Sequence, residues 1–366
     1  MSEVPSWDQA INTLTGSGGP FEIVETEIGG QKMKTFANLP ASLRERFDLT
    51  RLHGEKTFLV YENETWSFAD TMSRVDEIAA ALVERYSIEK GDRVAIAMRN
   101  YPEWIFSFAA IVSVGGVAVC MNSWWKTDEM AFGLEDCGAK LLIADIERLR
   151  TAEPTLARLG IRSLIVRHEG ELPVGTDRME DVLQKGAKMP AVSVGPDDDV
   201  TILYTSGTTG FPKGAVSTNY AVLASLQSFA CRALAGALSQ PPKEPHPFDP
   251  CFILAVPLFH VTGLVPVMLS CFMNGFRLVM MYKWSPERAL ELIEREKVTQ
   301  FVGVPTMTID LLESPDFALR DSSSLASVGG GGAPMPPDLV GRVDKKFKRA
   351  RPGLGYGMTE TNAYGP

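Results

Sequence analysis

The sequence predicts an α/β protein organised around mainly parallel β-sheet. Three observations carry that prediction. From Asp92 onward, short apolar runs rich in β-branched residues alternate with stretches of helical periodicity. The 366 residues are 45% hydrophobic and 22% charged, a globular composition long enough for two or three structural units. A glycine-rich loop, Tyr204 to Gly214, follows one of the strand-like runs, and open α/β sheets bind ligands outside their strand ends.

The elements follow in order. Residues 93–98 read as a strand and precede a helix near 103–114. Residues 116–121 precede a helix over 128–137, with Thr127 as its cap and Gly138 as its terminator. Residues 141–144 lead into a helix ending near Gly160, and 163–166 form the next strand. These are βαβ units. Residues 199–203 form the strand before the loop, and apolar spacing over 217–229 predicts that the loop joins a strand to a helix. The alternation resumes with strands at 252–256, 277–281, 299–304 and 324–328. Between them lies a helix over 286–297, with Ser285 as cap, Pro286 in its first turn, and Ala289, Leu290, Leu292 and Ile293 on its inner face. Five prolines make 239–250 a loop.

Composition removes several function classes. With 36 basic and 45 acidic residues the net charge is −9, which argues against a nucleic-acid footprint and a polybasic membrane surface. The basic run from Lys345 to Arg351 reads as a solvated helix end. Cys120, Cys137, Cys231, Cys251 and Cys271 lack C-x-x-C spacing and fit a reducing compartment, with neither a disulfide framework nor a zinc site. The N-terminal residues show no signal-peptide core, which points to the cytoplasm. The apolar region 251–276 is interrupted by Pro257, His260, Gly263, Pro266 and Asn274, so a buried strand and helix explain it better than a transmembrane segment.

The loop Tyr204-Thr205-Ser206-Gly207-Thr208-Thr209-Gly210-Phe211-Pro212-Lys213-Gly214 has the chemistry of a phosphate cradle. Glycines let backbone wrap closely round an anion, hydroxyls donate to phosphate oxygens, and Lys213 adds a mobile charge. Its order differs from G-x-x-x-x-G-K-[ST], which disfavours an ordinary kinase or GTPase. The loop resembles the signature phosphate loop of the adenylate-forming superfamily: acyl-CoA synthetases, luciferases and peptide-synthetase adenylation domains. Two further stretches agree in kind and order, Pro257-Leu258-Phe259-His260-Val261-Thr262-Gly263 and Gly355-Tyr356-Gly357-Met358-Thr359-Glu360-Thr361.

The resemblance implies a layered αβαβα core of two mainly parallel sheets, the N-terminal domain of such enzymes. It divides the chain into an extension over 1–35 and an AMP-binding domain over 36–366. Within that domain, 71–200 form a first α/β subdomain, and 36–70 join 214–366 in a second. The implied reaction couples a carboxylate to the α-phosphate of ATP with magnesium, releases pyrophosphate, and passes the acyl group to coenzyme A.

By the same resemblance, residues Thr205 to Gly210 and Lys213 hold the distal phosphates, and Thr205 and Glu360 serve magnesium. Thr359 meets the α-phosphate, with His260, Thr359 and Glu360 forming the catalytic set. Gly331, Gly332, Ala333, Pro334, Gly355, Tyr356, Gly357 and Met358 line the nucleotide pocket. His260, Val261, Leu264, Met307 and Gly331 wall the acyl site, Leu264 standing where some long-chain synthetases have a bulky aromatic gate. The residues alone also admit a core histidine at 260, a helix-start carboxylate at 360 and a plain flexible turn at 329–332.

The chain stops six residues beyond Glu360, and the family's ribose-binding acid, hinge and C-terminal lysine domain find no match in it. The expectation is the front portion of an acyl-CoA synthetase for a hydrophobic acid, without full turnover. A small-molecule acyl substrate is its expected partner, and a homodimer is one assembly left open. The absence of an acid near Phe259-His260-Val261 disfavours a peptide-synthetase domain, and the lack of a second adjacent histidine disfavours a luciferase. The alternatives are an acyl-AMP ligase with a different thiol acceptor and a non-catalytic nucleotide-binding or scaffold fragment.

Overall fold

Short apolar runs become two seven-stranded sheets in the computed structural model, which describes residues 4–28, 30–205, 210–241 and 244–365. The first sheet runs Lys213–Thr218, Asp199–Thr205, Val117–Cys120, Arg93–Ala97, Leu141–Ala144, Arg162–Ile165, Thr176–Arg178. The second runs Arg351–Leu354, Ser327–Gly330, Gln300–Gly303, Cys251–Leu254, Arg277–Met280, Thr57–Tyr61, Glu64–Ser67. Each is parallel except for one antiparallel pair at an edge. The hairpin Thr57–Tyr61/Glu64–Ser67 joins the second sheet beside Arg277–Met280, far from it in sequence.

Five layers result. One apolar cluster holds Val94 and Ile96 of the first sheet, Leu278 and Met280 of the second, and side chains of the helices Phe68–Glu84 and Pro102–Ser113. Those helices therefore form the middle layer. Pro102–Ser113 is apolar on every side and almost wholly buried, as a helix covered by sheet on both flanks must be. The first sheet's other face packs on the helices Thr127–Asp136 and Ile146–Leu159, and the second's on Pro286–Glu296 and Pro337–Lys346. Phe47, Phe58 and Phe68 gather round Phe272 with ring centroids 4.5–6.1 Å apart. Each such fully buried side chain contributes about 1.5–3 kcal/mol.

Local chemistry sets the boundaries. Ser285 caps Pro286–Glu296 by accepting from the Arg288 amide, and Ala289, Leu290, Leu292 and Ile293 are its buried face. Gly138 ends the helix before it with φ +61°. Thr127, expected as that helix's cap, is instead its first residue. The position before it is Lys126, whose amide donates to the Glu129 carboxylate at 3.0 Å. Lys345 and Lys346 lie exposed in the last turn of Pro337–Lys346, where the helix dipole favours cations.

Two expectations change. The loop after Asp199–Thr205 leads into a second strand, Lys213–Thr218, and the helix Asn219–Leu238 begins only after Thr218, which caps it by accepting from the Ala221 amide. Antiparallel pairing with Asp199–Thr205 satisfies a backbone that the apolar pattern assigned partly to the helix. The strand expected at 324–328 lies at Ser327–Gly330, drawing two glycines into the sheet. In the N-terminal region a helix, Trp7–Thr15, packs Ala10 and Leu14 against Cys231 and Ala235 of Asn219–Leu238. That longer helix is apolar and long enough to cross a membrane by length and composition. The described residues of 239–250 hold no helix or strand.

Candidate active site

The segment that carries His260 is fixed from two directions. Asn100, buried at the end of Arg93–Ala97, donates through Nδ2 to the Val256 carbonyl at 3.1 Å and accepts from the Leu258 amide at 2.9 Å. Gly263 packs so closely that a Cβ there would stand 2.3 Å from the Pro257 carbonyl oxygen. Between them, the Thr262 amide donates to His260 Nδ1 at 3.3 Å, which places the proton of the neutral ring on Nε2. His260 keeps exposed surface toward a cavity, yet desolvation by the surrounding protein lowers its pKa from the usual histidine value. The ring is therefore a neutral hydrogen-bond donor at pH 7.

The glycine run supplies the opposite wall. A Cβ on Gly329 would lie 1.9 Å from the Gly353 carbonyl oxygen, and one on Gly330, at φ +152°, would lie 1.9 Å from that of Gly303. These two glycines let neighbouring strands approach. Gly331 and Gly332 then turn away from the sheet and line the cavity.

A cavity of about 360 Å³ brings together His260, Val261, Gly331, Gly332, Gly355, Gly357, Met358 and Thr359, with Phe229, Pro266, Phe301 and Val302 as apolar walls. A hollow of about 610 Å³ shares Gly332, Gly355 and Gly357 with it and adds Ala333, Pro334, Tyr356 and Arg232. Glycine-rich backbone beside an exposed tyrosine ring suits a flat heterocycle. Leu264 is fully buried and Met307 packs against the core, and neither lines the cavity.

The third segment folds as a closed turn. The Gly365 amide donates to the Tyr356 carbonyl at 2.8 Å and the Ala363 amide to that of Met358 at 2.9 Å. The Met358 amide donates to Thr361 Oγ1 at 3.0 Å. Thr359–Thr361 form a single 3-10 turn. Glu360 projects from it, exposed and without a hydrogen-bond or ion-pair partner among the described residues.

The strands Asp199–Thr205 and Lys213–Thr218, which flank the glycine-rich loop, lie at the edge of the first sheet. Ser206, Gly207, Thr208 and Thr209 lie outside the described residues. Thr205 pairs with Lys213 across the antiparallel ladder, and Thr205 Oγ1 donates to the Lys213 carbonyl at 3.3 Å. Thr205 and Gly210 border one hollow, and Lys213 borders another; neither is the cavity of His260. Side-chain alternation puts Thr205, Lys213, Leu203 and Ser217 on one sheet face. Leu203 belongs to the cluster between the sheets, whereas Ile202 and Tyr204 pack on the outer layer. By that alternation Thr205 and Lys213 belong to the inner face at the sheet edge, while the hollows they border are also lined by Phe132 and Tyr204 of the outer side; Lys213 is exposed with no acidic partner among the described residues.

No group of three or more His, Cys, Asp or Glu among the described residues is arranged to hold a metal. Glu360 and Thr205 are hard oxygen donors of the kind magnesium takes, a cation that binds few protein ligands and completes its shell with phosphate and water. Asn100 went unread in the sequence because a lone asparagine after a strand has no distinguishing pattern.

Comparison with known proteins bears on this arrangement. A family described as AMP-binding enzyme matches residues 48–365. A 4-coumarate–CoA ligase of Humulus lupulus is 30% identical over 297 residues, covering 81% of this chain and 52% of its own length. The chain spans about half the length of the curated relatives it matches. Among solved structures, the inhibitor-bound N-terminal domain of FACL13 from Mycobacterium tuberculosis superposes with TM-score 0.74 and 26% identity, over 88% of this chain and 77% of that one. The o-succinylbenzoate–CoA synthetase of Bacillus subtilis, in complex with ATP and magnesium, gives 0.69 and 27%, over 87% and 60%.

Proposed function

Since the chain belongs to the AMP-binding enzyme family, we propose that it provides the ATP- and acid-binding portion of an acid–CoA ligase acting on a hydrophobic carboxylic acid. The observation that carries the reading is the cavity in which His260, the glycine run and the Gly355–Thr359 segment converge. In the first step a carboxylate oxygen attacks the α-phosphorus of ATP, the bond to the β-phosphate breaks, and pyrophosphate leaves an acyl adenylate. In the second, a coenzyme A thiol displaces AMP and forms the thioester. Both first-step reactants are anions, so catalysis rests on positive charge and in-line positioning.

The chain's residues divide that work. Lys213 and Thr205, on the inner sheet face, meet the distal phosphates. His260 Nε2–H donates to the carboxylate and holds it without adding charge. Gly331, Gly332, Ala333, Pro334, Gly355, Tyr356 and Gly357 receive the adenine, and Thr359 the α-phosphate. Magnesium, held by Glu360 and Thr205, would neutralise phosphate charge. Val261, Phe301 and Val302 favour an apolar acyl group.

Calorimetric titration tests the reading. Mg-ATP should bind the 366-residue chain, and a sulfamate analogue of an aryl-adenylate should displace it. Failure of both to bind would overturn the proposal.

A further inference from the structure

The Glu360 side chain has no partner among the described residues, so its place is set by the backbone turn beneath it. Among the described residues, two hydrogen bonds tie that turn to the body of the protein, and both end on Asn362. Ser217 Oγ donates to Asn362 Oδ1 at 3.0 Å, and Ser225 Oγ donates to the Asn362 carbonyl at 2.8 Å. All three residues are buried. Ser225 belongs to the helix Asn219–Leu238. Ser217 belongs to the strand that begins at Lys213, on the inner face shared with Lys213 and Thr205.

The backbone of Asn362 is equally specific. It sits at φ +51°, ψ +43°, a left-handed conformation that asparagine tolerates better than most L residues. Its amide donates to the Thr359 carbonyl at 3.1 Å. Asn362 thereby closes the 3-10 turn with its main chain and fastens it to the phosphate-loop strand with its side chain.

We propose that Asn362 is a positioning residue that sets Glu360 and Thr359 opposite Thr205 and Lys213 for Mg-ATP, through its bond to Ser217. This inference rests on the ATP-binding role proposed above. A clamp between the strand of Lys213 and the turn of Glu360 fixes the separation of cation and carboxylate, which otherwise belong to distant parts of the chain. Its loss should disturb binding of the metal complex more than binding of the nucleotide alone.

Asn362→Gly keeps the left-handed backbone and removes the acceptor. Ser217→Ala removes the donor and leaves the turn's sequence untouched, so it carries the test if the glycine variant fails to fold. Ser217→Thr retains a hydroxyl at a strand position. The 366-residue chain and each variant are titrated with ATP in magnesium and in EDTA, with thermal unfolding followed in parallel. Asn362→Gly and Ser217→Ala should each weaken Mg-ATP about tenfold, the net worth of a buried hydrogen bond. Metal-free ATP should weaken less, the double variant should lose no more than either single one, and Ser217→Thr should restore affinity. Unchanged Mg-ATP affinity, or equal losses with and without magnesium, would overturn the inference while leaving the functional reading intact. If the unsubstituted chain binds no Mg-ATP, the reading fails and the inference with it.

Discussion

Gly357 is the position at which one added carbon should disable nucleotide binding without unfolding the protein. A Cβ there would stand 2.1 Å from the Ala363 carbonyl oxygen and 2.2 Å from its carbonyl carbon. A close carbon–oxygen contact is about 3.3 Å, so the two sides of the turn must separate by about 1 Å. The obstacle is backbone, held by the bonds from Gly365 to Tyr356 and from Ala363 to Met358. Overpacking of this kind costs about 1–3 kcal/mol, which a domain stable by about 5–15 kcal/mol survives. The displaced residues are those that carry Thr359 and Glu360. A charged hydrogen bond lost from them removes about 1.5–3 kcal/mol, a 10- to 150-fold rise in the Mg-ATP dissociation constant for Gly357→Ala. Calorimetry measures that constant, and circular dichroism checks the fold. A folded Gly357→Ala protein that binds Mg-ATP as the unsubstituted chain does would refute the reasoning.

Other perturbations separate the roles of individual residues. Lys213→Ala should weaken Mg-ATP by about 1.5–3 kcal/mol, as expected for loss of a charged hydrogen bond, with an effect that shrinks at high salt; equal affinities in calorimetry would remove it from the phosphate site. Glu360→Gln should lower affinity for Mg-ATP far more than for ATP in EDTA, and parallel losses would exclude a metal role. Burial depresses the His260 pKa, so the unfolded chain binds more protons at that site and stability is lost as pH falls through the unfolded value, about 6.5. Urea unfolding of His260→Asn between pH 7.5 and 5 should show a smaller loss than the parent; the same slope in both would show that His260 contributes nothing.

Legibility in the sequence followed the length and regularity of each signal. Residues 141–144 form a strand at the bounds read from their apolar run, and Pro286–Glu296 announces itself by cap, proline and periodicity together. Lys213–Thr218 escaped because Lys-Gly-Ala-Val-Ser-Thr has no sustained alternation of its own, and only its partner Asp199–Thr205 makes it a strand. The apolar pattern places a strand at 324–328 rather than at Ser327–Gly330 because glycines weaken the strand signal, although here they are what lets three backbones approach. At the site, motif order pointed to His260, Gly331 and Thr359, which do share a cavity. Leu264 followed them by alignment and is buried instead, since the Gly263–Leu269 helical turn directs it into the core. Asn100 and Asn362 each make two hydrogen bonds to residues distant in sequence, which no local pattern encodes.

We propose that three separated segments build one site for an acyl adenylate. A crystal structure of the 366-residue chain with an aryl-sulfamoyl adenosine tests it most directly. Adenine should lie against Gly332 and Tyr356, the sulfamate beside Thr359, and the aryl group between His260, Val261 and Phe301. An analogue bound elsewhere, with this cavity empty at saturating concentration, would contradict it.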